Sequence, residues 1–174
     1  MLHLRLGSTL VVAAIITSLA SGPAAAAPAY TPPPGWQLAP QPQFTVPAGA
    51  ICSFALQVAT VEDEVITKVL ATWPDGSPRN QVYTGPYIAR FTNVDSGKSV
   101  TRNLSGDALV HYGEDDGSAS WSYAGPVAVA FFGSPLALGL WVLDGVFVVD
   151  YAADGTQTLP VHVGKEENLC TTLR

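Results

Sequence analysis

The only cysteines of the chain, Cys52 and Cys170, stand at the two ends of its patterned region. A disulfide holds its Cα atoms within about 7 Å, so a bond between them forces the first and last parts of the fold together. The N-terminal sequence is the reason to expect that bond. Met1-Leu2-His3-Leu4-Arg5 is weakly basic, Leu10 to Leu19 is apolar, and Ser21-Gly22-Pro23 leads into Ala24-Ala25-Ala26-Ala27. That order reads as a secretory signal peptide over residues 1–26, with Ala24 and Ala26 as the small residues before the cut. The apolar run is shorter than the ~20 residues that span a bilayer. Later apolar stretches are all broken by Gly, Pro or Asp, so no membrane insertion is expected once the signal is removed. In an exported chain a lone pair of thiols forms a disulfide. Closing so long a loop contributes about 4–5 kcal/mol in the chain-entropy account. Two cysteines with no histidine at ligand spacing do not make a structural zinc site.

Between the cysteines, turn signals recur at short intervals: Asp75-Gly76, Asp95-Ser96-Gly97, Ser105-Gly106-Asp107, Asp116-Gly117, Gly125-Pro126, Asp144-Gly145 and Asp154-Gly155. Glycine supplies the positive φ that tight hairpins need. The segments between them alternate with a period of two. Phe54, Leu56 and Val58 share a face, as do Val69, Ala71 and Trp73, then Tyr87, Ala89 and Phe91. The same holds for Ala119, Trp121 and Tyr123 and for Leu159, Val161 and Val163. These are strands with one buried face, and the body carries no helical period. The expected class is all-β: an antiparallel up-and-down barrel of about eight strands over residues 51–174, whose even count brings both ends to one rim beside the cysteines. A two-sheet sandwich is the alternative. From Val127 to Tyr151 apolar residues occupy both faces, so the outer face must be covered too, by the arm that precedes the barrel or by a second subunit. Left uncovered, that stretch would be an interaction surface. The arm, residues 27–50, is uncharged and rich in proline, hence extended, and Trp36, Leu38 and Phe44 favour its partial docking.

Fourteen acidic residues face eight basic ones, a net charge of −6, and removing residues 1–26 takes away only Arg5. A body this acidic disfavours nucleic acid and anionic membrane surfaces. His111 and His162 read as surface histidines, and neither a Gly-x-Ser-x-Gly turn nor an HExxH segment is present. The runs Glu62-Asp63-Glu64 and Glu114-Asp115-Asp116 lack the spacing of a calcium loop and read as solvated turns. No metal and no cofactor are expected. Arg102 stands between Val100 and Leu104 on one face; turned inward it would need a carboxylate partner or an anionic ligand, and a rim position is favoured. Arg90 poses the same question more weakly. The ligand-binding candidates are Arg102 with the aromatics of the barrel mouth, Tyr87, Phe91, Trp121 and Tyr123.

Several segments carry a resemblance: Ile51-Cys52-Ser53-Phe54-Ala55-Leu56, Phe91-Thr92-Asn93, Gly97-Lys98-Ser99-Val100, Leu104-Ser105-Gly106 and Asn168-Leu169-Cys170. With the signal peptide, they resemble a family of small secreted actinobacterial proteins. The shared markers are structural, namely paired cysteines, turn glycines and alternating strands, and the resemblance implies no assigned activity. That family's pattern is apolar where this chain has Arg102. By architecture the barrel also looks like those of lipocalins and allene oxide cyclases, without a motif of either. The expected role is a secreted, non-catalytic binding or interaction module of the cell envelope or medium. Its partner surface would be Val127–Tyr151 or the barrel mouth. The alternative is a lipocalin-like carrier of a small apolar ligand, and ranked below both is an isomerase or hydrolase using Arg102 or His111.

Overall fold

The computed structural model describes residues 30–114 and 116–174; the signal-peptide expectation lies outside them. In chain order the elements are β1 (Gln37–Leu38), β2 (Phe44–Val46), β3 (Leu56–Asp63), β4 (Ile66–Thr72), β5 (Pro78–Thr84), β6 (Tyr87–Asn93), β7 (Ser99–Asn103), β8 (Asp107–Tyr112), β9 (Ala119–Phe131), β10 (Gly139–Tyr151), β11 (Gln157–Asn168) and one helical turn, α1 (Leu169–Thr172). Three Asp-Gly pairs reverse the chain by one device. Asp75, Asp116 and Asp154 each accept the backbone N–H two residues on, at 2.9, 2.8 and 2.8 Å. The glycine between has φ of +90°, +73° and +83°. These turns close β4–β5, β8–β9 and β10–β11.

The chain is all-β, but the barrel expectation is corrected: the strands form two antiparallel sheets. One runs β1-β4-β5-β8-β9-β10-β11 and the other β2-β3-β6-β7. The turn chemistry specifies each hairpin and says nothing of which sheet receives it. The β4–β5 hairpin joins the larger sheet and the β6–β7 hairpin the smaller, so β3 pairs with β6 and β5 with β8. A meander that alternates between two layers cannot close on itself. The proline-rich arm contributes an edge strand to each sheet, Leu38 opposite Ile66 and Phe44 opposite Val58.

The larger sheet is creased. Gly125, Gly145 and Gly164 stand in register across β9, β10 and β11, with φ of +89°, +152° and +146°. A Cβ on Gly145 would collide with the Val163 carbonyl oxygen, and one on Gly164 with that of Asp144. Only glycine permits both the angles and the approach. Contacts across the crease show how far it bends. Gln157 sits beside the Tyr151–Ala119 rung, which a straight strand would hold roughly 35 Å from Ala130. Yet its side chain donates to the Ala130 carbonyl at 2.9 Å and accepts from Phe132 N at 3.2 Å. On β11, His162 Nε2 lies 2.9 Å from Glu166 Oε2 across Gly164.

Folding the sheet back on itself makes two cores. Val127, Val129, Phe131 and Leu143 on one side of the crease pack with Phe147 and Val149 from the other. The opposite face of that first half presents Leu140 and Val142 to Phe54, Leu56, Val58 and Phe91 of the smaller-sheet layer. The two-sided apolar stretch is therefore covered largely by the chain's own other half and by the smaller sheet, whose edge strand β2 belongs to the arm, while Phe132, Leu138 and Val146 stay exposed. Gly125-Pro126 and Asp144-Gly145, expected as turns between strands, are bends within them. The expected buried face of β11 is also corrected. A bulge between Val148 and Asp150 breaks its register, which moves side chains to the other face. Gln157 is buried, while Val161 and Val163 are 36% and 64% exposed.

Cys52 and Cys170 form the disulfide, their Cα atoms 5.2 Å apart, tying the segment before β3 to α1 inside the first core. Asn168 caps α1, its side chain accepting from Cys170 N and Thr171 N. No helix among the described residues is long and apolar enough to cross a membrane.

Candidate functional site

At the crease the layers part around a cleft of about 250 Å³, lined by Tyr83, Tyr87, Trp121 and Tyr123, with Gly106, Ala108 and Ala128 among its small residues. The register explains the arrangement. Tyr83, Ala108 and Tyr123 form one rung across β5, β8 and β9. Trp121 precedes Tyr123 by two residues and so points to the same side. Because Ala108 carries only a methyl, the indole fits between the two tyrosines. It stacks on Tyr83 with ring centres 5.6 Å apart and planes 24° apart, and on Tyr123 at 5.9 Å and 18°. Tyr112 meets the same indole edge-on at 6.4 Å. Such pairs contribute about 0.5–1.5 kcal/mol each beyond their burial, which keeps the row rigid.

The phenols of this row are largely turned to one another. The Tyr83 and Tyr112 hydroxyls lie 3.4 Å apart, and Tyr112 donates to Gln81 Oε1 at 3.4 Å. The Tyr151 phenol is the neighbour of Tyr123. Burial, with these neighbouring phenols, pushes Tyr112 and Tyr123 well above the ordinary phenol range. Burial also raises Tyr87. All are neutral at ordinary pH. Gln41, carried over the cleft by the proline-rich arm, adds an amide to the lining, and no acidic or basic side chain is among the lining residues. The arm is held there by Asp63, which accepts Gln41 N at 2.5 Å and Val65 N at 3.2 Å.

Three of the expected binding residues, Tyr87, Trp121 and Tyr123, thus come together, although at a crease between layers rather than at a barrel mouth. Phe91 does not reach this cleft. It is 1% exposed in the first core and borders a neighbouring space of about 130 Å³ beneath Pro42 and Phe44. Arg102 lies elsewhere and takes the carboxylate partner that its apolar neighbours demand. Its Nε and Nη2 donate to the two oxygens of Glu167, each at 2.7 Å, and Thr172 Oγ1 donates to the same carboxylate at 2.7 Å. The expectations did not include Tyr83, Gln41, Gly106 or Ala108. Tyr83 is legible as an alternate residue with Gln81 in β5; the other three carry no local signal, because only the arm's path and the crease bring them in.

One polar row crosses the outer side of the larger sheet: Asn80, His111, Ser120 and Asp150 are successive register partners. His111 Nδ1 donates to Asn80 Oδ1 at 2.7 Å, and Ser120 Oγ donates to Asp150 at 2.5 Å. The serine is bonded to the carboxylate and the imidazole to an amide, so this row lacks the hydroxyl-to-imidazole link of a nucleophilic relay. His162 is exposed against the Phe147 ring, centres 5.3 Å apart. Among the described residues no group of three or more His, Cys, Asp or Glu is placed to hold a metal. The chain matches no family model, no curated protein and no solved structure.

Proposed function

We propose that the protein is an exported, non-catalytic binding module that carries a small apolar ligand in the cleft at the crease. One observation carries this reading: Tyr83, Tyr87, Trp121 and Tyr123 converge on one uncharged space between the layers, the apolar concavity with few polar groups that ligand sites share. Most of the Val127–Tyr151 surface, the other candidate, is buried in the two cores, leaving Phe132, Leu138 and Val146 exposed. The disulfide supports export, since such bonds persist in oxidising compartments, and agrees with the signal-like N-terminus and with the resemblance to small secreted actinobacterial proteins. Arg102 and His111, the groups an isomerase or hydrolase would use, are absent from the cleft lining.

Native mass spectrometry of protein purified from the medium of its own cells tests the reading. A discrete bound mass, lost on denaturation, is expected. Repeated spectra of the bare chain under conditions that preserve a control complex would overturn it.

A further inference from the structure

The wall of the cleft narrows the ligand class. We infer that the cleft selects a neutral, flat ring system, an aromatic or heteroaromatic molecule of one or two fused rings; this rests on the binding reading above and specifies its ligand. Three observations lead there. The first is orientation. Tyr83, Trp121 and Tyr123 stand with their planes within 24° and 18° of one another. Near-parallel planes extend by one more parallel ring, and offset stacking is the favoured contact between such faces. A compact quaternary cation needs ring faces converging on it from several directions, and this row does not provide that arrangement.

The second is charge. No acidic or basic side chain is among the lining residues. Transferring an ionised group into such a space without a partner costs several kcal/mol, which rejects carboxylates, phosphates and ammonium ions alike. The third is the scarcity of hydrogen-bond partners. Tyr83 is turned to Tyr112 and the Gln41 amide nitrogen donates to the Ala39 carbonyl at 2.8 Å, leaving few polar atoms for a ligand, the Gln41 side-chain oxygen and the Tyr87 phenol among them. A sugar ring stacks on aromatic faces too, but most of its hydroxyls would be desolvated without partners here. The volume agrees: about 250 Å³ lies just under the ~300–1,000 Å³ of sites for drug-sized molecules.

Titration calorimetry with four probes reads the inference: coumarin as the flat neutral ring, a coumarin carboxylate as its anion, choline as the compact cation and glucose as the polyhydroxylated ring. Coumarin is expected to bind, with its carboxylate roughly tenfold weaker or worse and the other two silent. Trp121→Ala should abolish coumarin binding. Ala108→Leu, which removes no ring but crowds the space the indole and the ligand share, should do the same with an unchanged far-ultraviolet circular dichroism spectrum, so that a misfolded Trp121 variant does not decide the matter. Binding of choline, glucose or the carboxylate in preference to coumarin, lost in Ala108→Leu, would overturn the ligand class and leave the cleft as the binding site. Coumarin binding that survives Ala108→Leu would overturn the placement. Silence of all four probes, with native spectra that show a bound mass, would refute the flat-ring class alone; silence together with bare spectra would remove the binding reading as well.

Discussion

Single side chains settle which layers touch. Arg102 and Glu167 join β7 of the smaller sheet to β11 of the larger through a two-point ion pair, each side chain 31% exposed. The guanidinium, and secondarily Thr172, hold the Glu167 carboxyl below the usual carboxylate range, while the carboxylate holds Arg102 above its own. A group whose folded pKa is depressed contributes stability that is complete above its unfolded value of about 4.3 and is lost as pH falls through the folded one. Asp75, Asp116 and Asp154 are lowered in the same direction by Ser77, Ser118 and Thr156. The wild type should therefore lose stability in acid through several carboxylates together. Glu167→Gln removes one of them: at neutral pH it should cost roughly 1 kcal/mol, as befits a pair so accessible to solvent, and the difference from wild type should shrink as pH falls below about 4. Urea midpoints across that range check it, and a difference that stays constant with pH would remove the pair as the cause. Asn93 acts at the same scale without charge. It is buried, donates to the Leu173 carbonyl at 3.0 Å and accepts Asp95 N at 3.0 Å. Asn93→Ala leaves those groups unpaired and should cost about 1–3 kcal/mol by urea titration; a loss under half a kcal/mol would mean that water replaces the amide.

At the scale of elements, the same dipeptide does two different jobs. Asp154-Gly155 reverses the chain, and a Cβ on Gly155 would meet nothing within 4 Å. Asp144-Gly145 creases it, and a Cβ on Gly145 would come within 2.7 Å of Gly164 Cα and closer still to the Val163 carbonyl. Gly155→Ala should thus cost about 1–2 kcal/mol, the price of a left-handed alanine. Gly145→Ala adds a backbone collision to a φ of +152° that lies beyond the left-handed well and is essentially restricted to glycine, and should exceed it by about 2 kcal/mol or more. Urea unfolding of the two variants side by side decides whether the crease carries the difference. The contrast also shows why this part of the fold resists a reading of the sequence. Period-two alternation marks Leu56, Val58, Ala89, Phe91 and Tyr123 because burial of one face leaves its mark on every second residue. It marks the long hairpin as buried on both faces as well. Nothing local says that the cover is the hairpin itself, since that follows from three glycines, about twenty residues apart, brought into register by the pairing of three consecutive long strands. The bulge in β11 is equally silent, and it misassigns Val161 and Val163. In the cleft, Tyr87, Trp121 and Tyr123 were legible because aromatic residues on a buried face are conspicuous, whereas Gly106 and Ala108 matter through the side chains they lack.

The whole molecule is closed by one covalent bond between its extremities. Cys52 and Cys170 are separated by 118 residues in sequence, and the loop they close includes every strand except β1 and β2. By chain entropy such a staple stabilises the folded state by about 4–5 kcal/mol, chiefly by restricting the unfolded chain. The same bond sits in the core beside Leu169 and Leu173, and neither cysteine lines the cleft. These two facts separate stability from binding. Cys52→Ala/Cys170→Ala should lower the unfolding free energy by several kcal/mol and steepen the urea dependence, because the unlinked denatured chain exposes more surface. Coumarin affinity, measured well below the variant's unfolding midpoint, should stay within about twofold of wild type, since neither cysteine is among the lining residues of the cleft. A variant that folds but no longer binds would tie the cleft's shape to the staple. A variant as stable as wild type would mean that the two layers hold the ends together unaided, through Asn93, Lys98 and the Arg102–Glu167 pair that bridge to the C-terminal turn.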